Sequence, residues 1–134
     1  MTPAHAIICD DDAATRFVVS RILTQQFAYR VTGCASGAEA LDVIASEHVT
    51  FMVLDVEMPE MSGIDVLVRV RAMPAAKTLP VIALSRARQK HVIERMVALG
   101  VSDYLLKPLH RATFIERVQV LAQRFEREPR RERR

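Results

Sequence analysis

Four short apolar runs and one alternating segment, each followed by a longer stretch with apolar residues at helical spacing, constrain this chain more than any other feature. Ala6-Ile7-Ile8-Cys9 is stopped by Asp10, Asp11 and Asp12. Phe51-Met52-Val53-Leu54 ends at Asp55, Val81-Ile82-Ala83-Leu84 at Ser85, and Tyr104-Leu105-Leu106 at Lys107-Pro108. Tyr29 and Val31 alternate with polar residues as far as about Gly33. Between them lie helical patterns: Ala14, Val18, Ile22 and Leu23; Ala40, Leu41, Val43 and Ile44 behind a Ser36/Glu39 capping box; Ile64, Leu67 and Val68; Val92, Ile93, Met96, Val97 and Leu99; and Phe114, Ile115, Val118, Leu121, Ala122 and Phe125. Gly100 suits the left-handed position after the fourth helix. Continuous apolar strands in series with helices predict an α/β fold: a five-stranded parallel sheet, doubly wound, with helices on both faces. A barrel needs eight such units and is excluded.

Length and composition narrow the class. A chain of 134 residues makes one domain, and with half of its residues hydrophobic it has material for a core. No apolar run exceeds four residues, so no membrane-spanning helix is expected, and the N-terminus lacks the pattern of a signal peptide. Cys9 and Cys34 have no metal-ligand spacing, which makes a cytoplasmic protein with reduced thiols the expectation. The net charge of +3 comes from residues 124–134, which hold six arginines and three glutamates. The body keeps 13 of the 19 basic and 13 of the 16 acidic residues and is neutral, which argues against nucleic-acid binding.

In an open parallel sheet, ligands bind beyond the carboxyl ends of the strands. Those ends here carry Asp10, Asp11 and Asp12, then Asp55, Ser85 and Lys107. Each has a bland reading alone: an aspartate or Ser85 as a helix cap, Lys107 as a solvated cation. Together they form a chemistry. Crowded carboxylates repel each other, and a hard cation such as Mg2+ with oxygen ligands relieves that repulsion. Asp55 is then placed to attack phosphorus and form an acyl phosphate, with Lys107 supplying a compact positive charge and Ser85 a hydrogen bond. No glycine-rich phosphate loop is present, so a nucleotide is not the expected donor.

The strings Ile7-Ile8-Cys9-Asp10-Asp11-Asp12, Val53 to Gly63, Pro80 to Ser85 and Tyr104 to Pro108 resemble, in order and spacing over about residues 5–125, the receiver domain of bacterial two-component response regulators of the single-domain, chemotaxis-regulator-like kind. The resemblance implies a flavodoxin-like receiver fold. It also implies roles for individual residues: Asp55 as phosphoacceptor, Asp11 as a direct Mg2+ ligand, Asp10 as a ligand largely through water, and the Glu57 backbone carbonyl as the third protein ligand. By the same resemblance Ser85 and Tyr104 form a switch pair, Lys107 binds the phosphoryl group, and the Lys107–Pro108 bond is cis. The implied partners are a sensor histidine kinase or phosphotransfer protein and a downstream protein target. No nucleic acid or membrane is implied, and no oligomeric state can be read.

Residues 1–125 are the expected receiver domain, and 126–134 a basic tail that reads as flexible or as a linker stub. With no further domain after residue 125, the sequence reads as a stand-alone receiver or as part of a longer regulator. Arg86 departs from the family's small residue and is expected to face solvent. Glu57 stands at a position associated with differing acyl-phosphate lifetimes and adds negative charge. His5, His48, His91 and His110 show no ligand spacing. Two other classes fit the sequence less well: a phosphate-independent interaction module, which typically loses members of the aspartate, serine and lysine set, and a metal-dependent phosphatase. The phosphatase would use Glu57 as a second acid but has no lid-sized insertion to accompany it.

Overall fold

The computed structural model describes residues 4–127, the last three through their backbone alone. Five strands, β1 (His5–Cys9), β2 (Arg30–Cys34), β3 (Phe51–Asp55), β4 (Val81–Ser85) and β5 (Asp103–Leu106), pair in parallel in the order β2-β1-β3-β4-β5. Five helices connect or follow them: α1 (Ala13–Phe27), α2 (Gly37–Ser46), α3 (Gly63–Ala72), α4 (Lys90–Ala98) and α5 (Arg111–Arg127). A short 3-10 turn at Pro74–Ala76 leads from α3 to β4. The expected doubly wound sheet is what the chain builds. From residue 128 onward the arginine-rich tail lies outside the described residues.

Strand periodicity sorts the core into two layers. Ala6, Ile8, Phe51, Val53, Ile82 and Leu84 face α1 and α5, where they meet Val19, Ile22, Leu23, Phe114, Val118 and Leu121. Their alternates Ile7, Cys9, Met52, Leu54 and Ala83 face α2, α3 and α4, and pack on Ala40, Ile44, Val66, Leu67, Val70 and Met96. Each large apolar side chain so buried contributes about 1.5–3 kcal/mol.

Three helix faces differ from expectation. In α1 the inward residue is Val19, whereas Ala14 is exposed and Val18 is 43% exposed. In α3 Val66 and Val70 are buried and Val68 is 40% exposed. Val97 of α4 also points to solvent. In each case adjacent apolar residues offer two stripes at helical spacing, and contact with the sheet selects one.

Helix ends follow local chemistry. Asp12 caps α1 by accepting from the Ala14 N–H at 3.2 Å and the Thr15 hydroxyl at 2.7 Å. Ser36 caps α2 by accepting from the Glu39 N–H, but Glu39 reaches back to the Ala35 N–H at 2.6 Å, one residue before the cap. The reciprocal capping box falls instead at Ser62 and Asp65, which open α3. Gly100 adopts φ +81°, the left-handed position expected of it. Gly63 serves a different need: a Cβ there would lie 2.8 Å from Val56 Cα and collide with the Asp55 carbonyl. Only glycine lets α3 start against the end of β3.

Candidate functional site

The chain leaves β1 toward β2 on one side and crosses to β3 on the other, so the carboxyl ends of β1 and β3 flank the switch point of the sheet. Asp10 follows β1 and Asp55 ends β3, and both are buried. Asp11 is exposed at the rim. One carboxylate oxygen from each of Asp10, Asp11 and Asp55 lies within 4.8 Å of the other two.

Lys107 closes the pocket from the end of β5. Its Nζ donates to Asp10 Oδ2 at 2.9 Å and stands 3.2 Å from Asp55 Oδ1. The second contact is an ion pair rather than an aligned hydrogen bond, because Asp55 Oδ1 is buried with no hydrogen-bond partner. Asp10 is better satisfied: its Oδ1 also accepts from the Asp12 N–H at 2.9 Å. The Lys107–Pro108 bond is cis, as the resemblance implies.

Electrostatics follow from that inequality. Burial, and then the charge of Asp10, push the Asp55 carboxyl up to about 7, with Lys107 pulling it back and Glu57 adding to the rise. Burial opposes the charge on Lys107, but Asp10 and Asp55 outweigh it and hold the ammonium above its ordinary range. An all-oxygen donor set, one rim carboxylate open to solvent and one buried oxygen without a hydrogen bond fit a small hard cation.

Ser85 and Tyr104 occupy the neighbouring strands. Ser85 ends β4, which pairs with β3 through Asp55 and Leu84, and it is buried. Its Oγ accepts from the Ala87 N–H at 2.9 Å, so it does not cap α4, whose N-cap is Gln89 with no side-chain bond. Tyr104 is half-buried, and its hydroxyl donates to the Ala87 carbonyl at 3.0 Å. The two switch candidates thus share one loop residue. Arg86 is exposed, with its backbone N–H donating to Glu57 Oε1 at 2.9 Å.

One expected residue gains a side-chain role, and one residue outside the expected set organises the region beside the site. The Glu57 carboxylate accepts the Ser85 hydroxyl as well as the Arg86 N–H. Arg71 donates to the carbonyls of Leu99 at 2.7 Å, Gly100 at 3.1 Å, Leu79 at 2.8 Å, Lys77 at 3.1 Å and Ala76 at 3.4 Å. No motif announces Arg71, because its partners are backbone carbonyls from two segments, one 5 to 8 residues away and one 28 and 29 residues away. His5 is buried at the start of β1, at the opposite end of the sheet from Asp10, bonded to Thr32 Oγ1 at 2.7 Å and the His48 carbonyl at 3.2 Å. Cys9 and Cys34 are register partners on adjacent strands, both buried as free thiols that burial pushes up to about 12 and about 11. Among the described residues no helix is long and apolar enough to cross a membrane.

Comparison with known proteins agrees with this geometry. The profile of the response regulator receiver domain matches residues 6–119. A two-component response regulator of Oryza sativa subsp. indica, ORR3, is 37% identical over 106 residues, covering 78% of this chain and 80% of that protein. Among solved structures, the Vibrio cholerae chemotaxis protein CheY4 superposes with a TM-score of 0.81 at 28% identity, over 89% of this chain and 98% of its own. The receiver domain of a Pseudomonas aeruginosa sensor histidine kinase, solved with magnesium coordinated in its active-site cleft, gives a TM-score of 0.76 at 25% identity over 92% and 97%. On the matched profile, the relatives and the parallel five-stranded fold together, the chain belongs to the receiver-domain family of two-component response regulators.

Proposed function

We propose that Asp55 is the phosphoacceptor of this receiver, taking a phosphoryl group from the phosphohistidine of a sensor kinase or phosphotransfer protein. The observation that carries the reading is a buried carboxylate at the end of β3, with two further carboxylates within 4.8 Å and an ammonium at 3.2 Å. The ionised Asp55 oxygen forms a new bond to phosphorus as the donor's nitrogen–phosphorus bond breaks. The bonding pair leaves with the imidazole, which takes a proton from solvent. Lys107 offsets charge on the incoming phosphoryl oxygens, and Ser85 offers them a hydroxyl one strand away.

Asp11 and Asp55 would hold Mg2+ with the Glu57 backbone carbonyl, and Asp10 largely through water. When bound, the ion neutralises negative charge shared by carboxylates and phosphoryl oxygens. The chain modifies itself and signals to a downstream protein in the cytoplasm, so it acts as a regulatory module rather than a turnover enzyme. Ser85 drawn toward the phosphoryl group, followed by inward rotation of Tyr104, would carry the change to the surface of α4, β5 and α5.

Intact-mass measurement after exposure to acetyl phosphate and Mg2+ tests the assignment. One phosphoryl group should appear on the wild type and none on Asp55→Asn. Normal uptake by Asp55→Asn would show that another residue is the nucleophile.

A further inference from the structure

Residues on either side of the β4–α4 loop form one continuous chain of hydrogen bonds. The Tyr104 hydroxyl donates to the Ala87 carbonyl at 3.0 Å, and the Ala87 N–H donates to Ser85 Oγ at 2.9 Å. The Ser85 hydroxyl donates to Glu57 Oε2, and the same carboxylate takes the Arg86 N–H on Oε1 at 2.9 Å. Both oxygens of Glu57 are therefore engaged by successive residues at the end of β4.

A serine hydroxyl has one proton to give. While Glu57 holds it, a phosphoryl oxygen on Asp55 cannot, so the two acceptors compete for a single donor. We propose that Glu57 is a positioning residue: its carboxylate latches Ser85 and the first residues of the β4–α4 loop in the resting arrangement. A phosphoryl group on Asp55 must then win the Ser85 proton before Tyr104 is released from Ala87. This inference rests on the phosphoacceptor reading of Asp55. Two features make the latch releasable. Glu57 is exposed, so water can replace its partners once they leave. The phosphoryl charge also repels the Glu57 carboxylate, so activation weakens the latch and rewards its loss.

A double-mutant cycle between Glu57 and Ser85 separates a latch from plain charge repulsion. Beryllofluoride is titrated at saturating Mg2+ into wild type, Glu57→Ala, Glu57→Gln, Ser85→Ala and the Ser85→Ala/Glu57→Ala double variant, with the Ala87 amide and Tyr104 ring followed by NMR. In Glu57→Ala the half-response concentration should fall roughly three- to tenfold, the range for losing one exposed charge-assisted hydrogen bond. Its Ala87 and Tyr104 resonances should sit partway toward their activated positions before beryllofluoride is added. Glu57→Gln, which keeps an acceptor without the charge, should fall between. In the Ser85→Ala background, Glu57→Ala should move the midpoint far less.

An equal shift with and without Ser85 would overturn the latch and leave only charge repulsion, as would an unchanged midpoint in Glu57→Ala. A wild type that ignores beryllofluoride would instead count against the phosphoacceptor reading. The unliganded Ala87 and Tyr104 resonances of Glu57→Ala would still report on the latch in that case.

Discussion

The two ends of α4 are built on different principles. At its C-terminal end, the Leu99 N–H bonds back to Arg95 and Met96, Gly100 takes the left-handed turn, and Met96 is buried beneath. The Arg71 guanidinium then ties the Leu99 and Gly100 carbonyls to those of Ala76, Lys77 and Leu79. The N-terminal end has a cap residue, Gln89, without a capping bond, no acidic residue in the first turn, and Lys90 where the helix dipole disfavours a cation. Its approach is held by Ser85, Ala87, Tyr104 and Glu57, whose hydrogen bonds can be exchanged for others. One end is a clamp and the other is a rearrangeable network. A signal at Asp55 should therefore pivot the start of α4 about a fixed end rather than displace the whole helix.

Breaking the clamp should have the largest effect. Arg71→Ala strips five carbonyls of a charged donor, and loss of such a network should lower unfolding stability by about 3–4 kcal/mol in urea titrations. Hydrogen exchange at Leu99, Gly100 and Val101 should accelerate with it. An unchanged exchange rate there would show that packing of Met96 alone fixes this end.

The rearrangeable end answers to a site whose charge is only partly balanced. Burial and the charge of Asp10 push the Asp55 carboxyl up to about 7 in the folded chain, from an ordinary value of 3.8. Between those values the folded chain binds more protons than the unfolded chain, so metal-free stability should fall as pH rises, with the full penalty above about pH 7. In the presence of a chelator, Asp55→Asn should gain on the order of 2 kcal/mol at pH 8 and almost nothing at pH 4. A pH-independent gain would mean that packing, not charge, limits the site.

Sequence reasoning reached the strand ends but not this asymmetry, for physical reasons. A run such as Phe51 to Leu54 closed by Asp55 is a local signal, and a parallel sheet gathers such closures along one edge without further information. Helix phase is less local. Phe17-Val18-Val19 and Val66-Leu67-Val68 each permit two stripes, and only the opposing strands decide between them. The Glu57 side chain reads only as added negative charge near the site because its partners lie 28 and 29 residues away, and Arg71 goes unread because its acceptors are carbonyls, which leave no trace in composition. The Ser62/Asp65 capping box was legible in its spacing and is the one missed feature that local reading could have found.

The smallest effect should come from repairing the loose end. Gln89→Asp supplies the missing capping acceptor and a favourable charge at the start of α4, and should add about 0.5–1 kcal/mol. Exchange of the amides that follow it should slow, whereas the Leu99 and Gly100 amides should not change. A loss of stability would show that residue 89 does not occupy a cap geometry in solution.

The most direct measurement follows both ends of α4 at once. NMR of the Tyr104 ring, the amides of residues 86–91 and those of Leu99 to Val101 can be recorded with and without beryllofluoride and Mg2+, in wild type and in Ser85→Ala. We expect Tyr104 and the 86–91 amides to shift in wild type, to shift much less in Ser85→Ala, and Leu99 to Val101 to stay in place in both. Identical Tyr104 signals in free and activated wild type, or shifts of equal size at the two ends of α4, would contradict a switch that pivots on a fixed end.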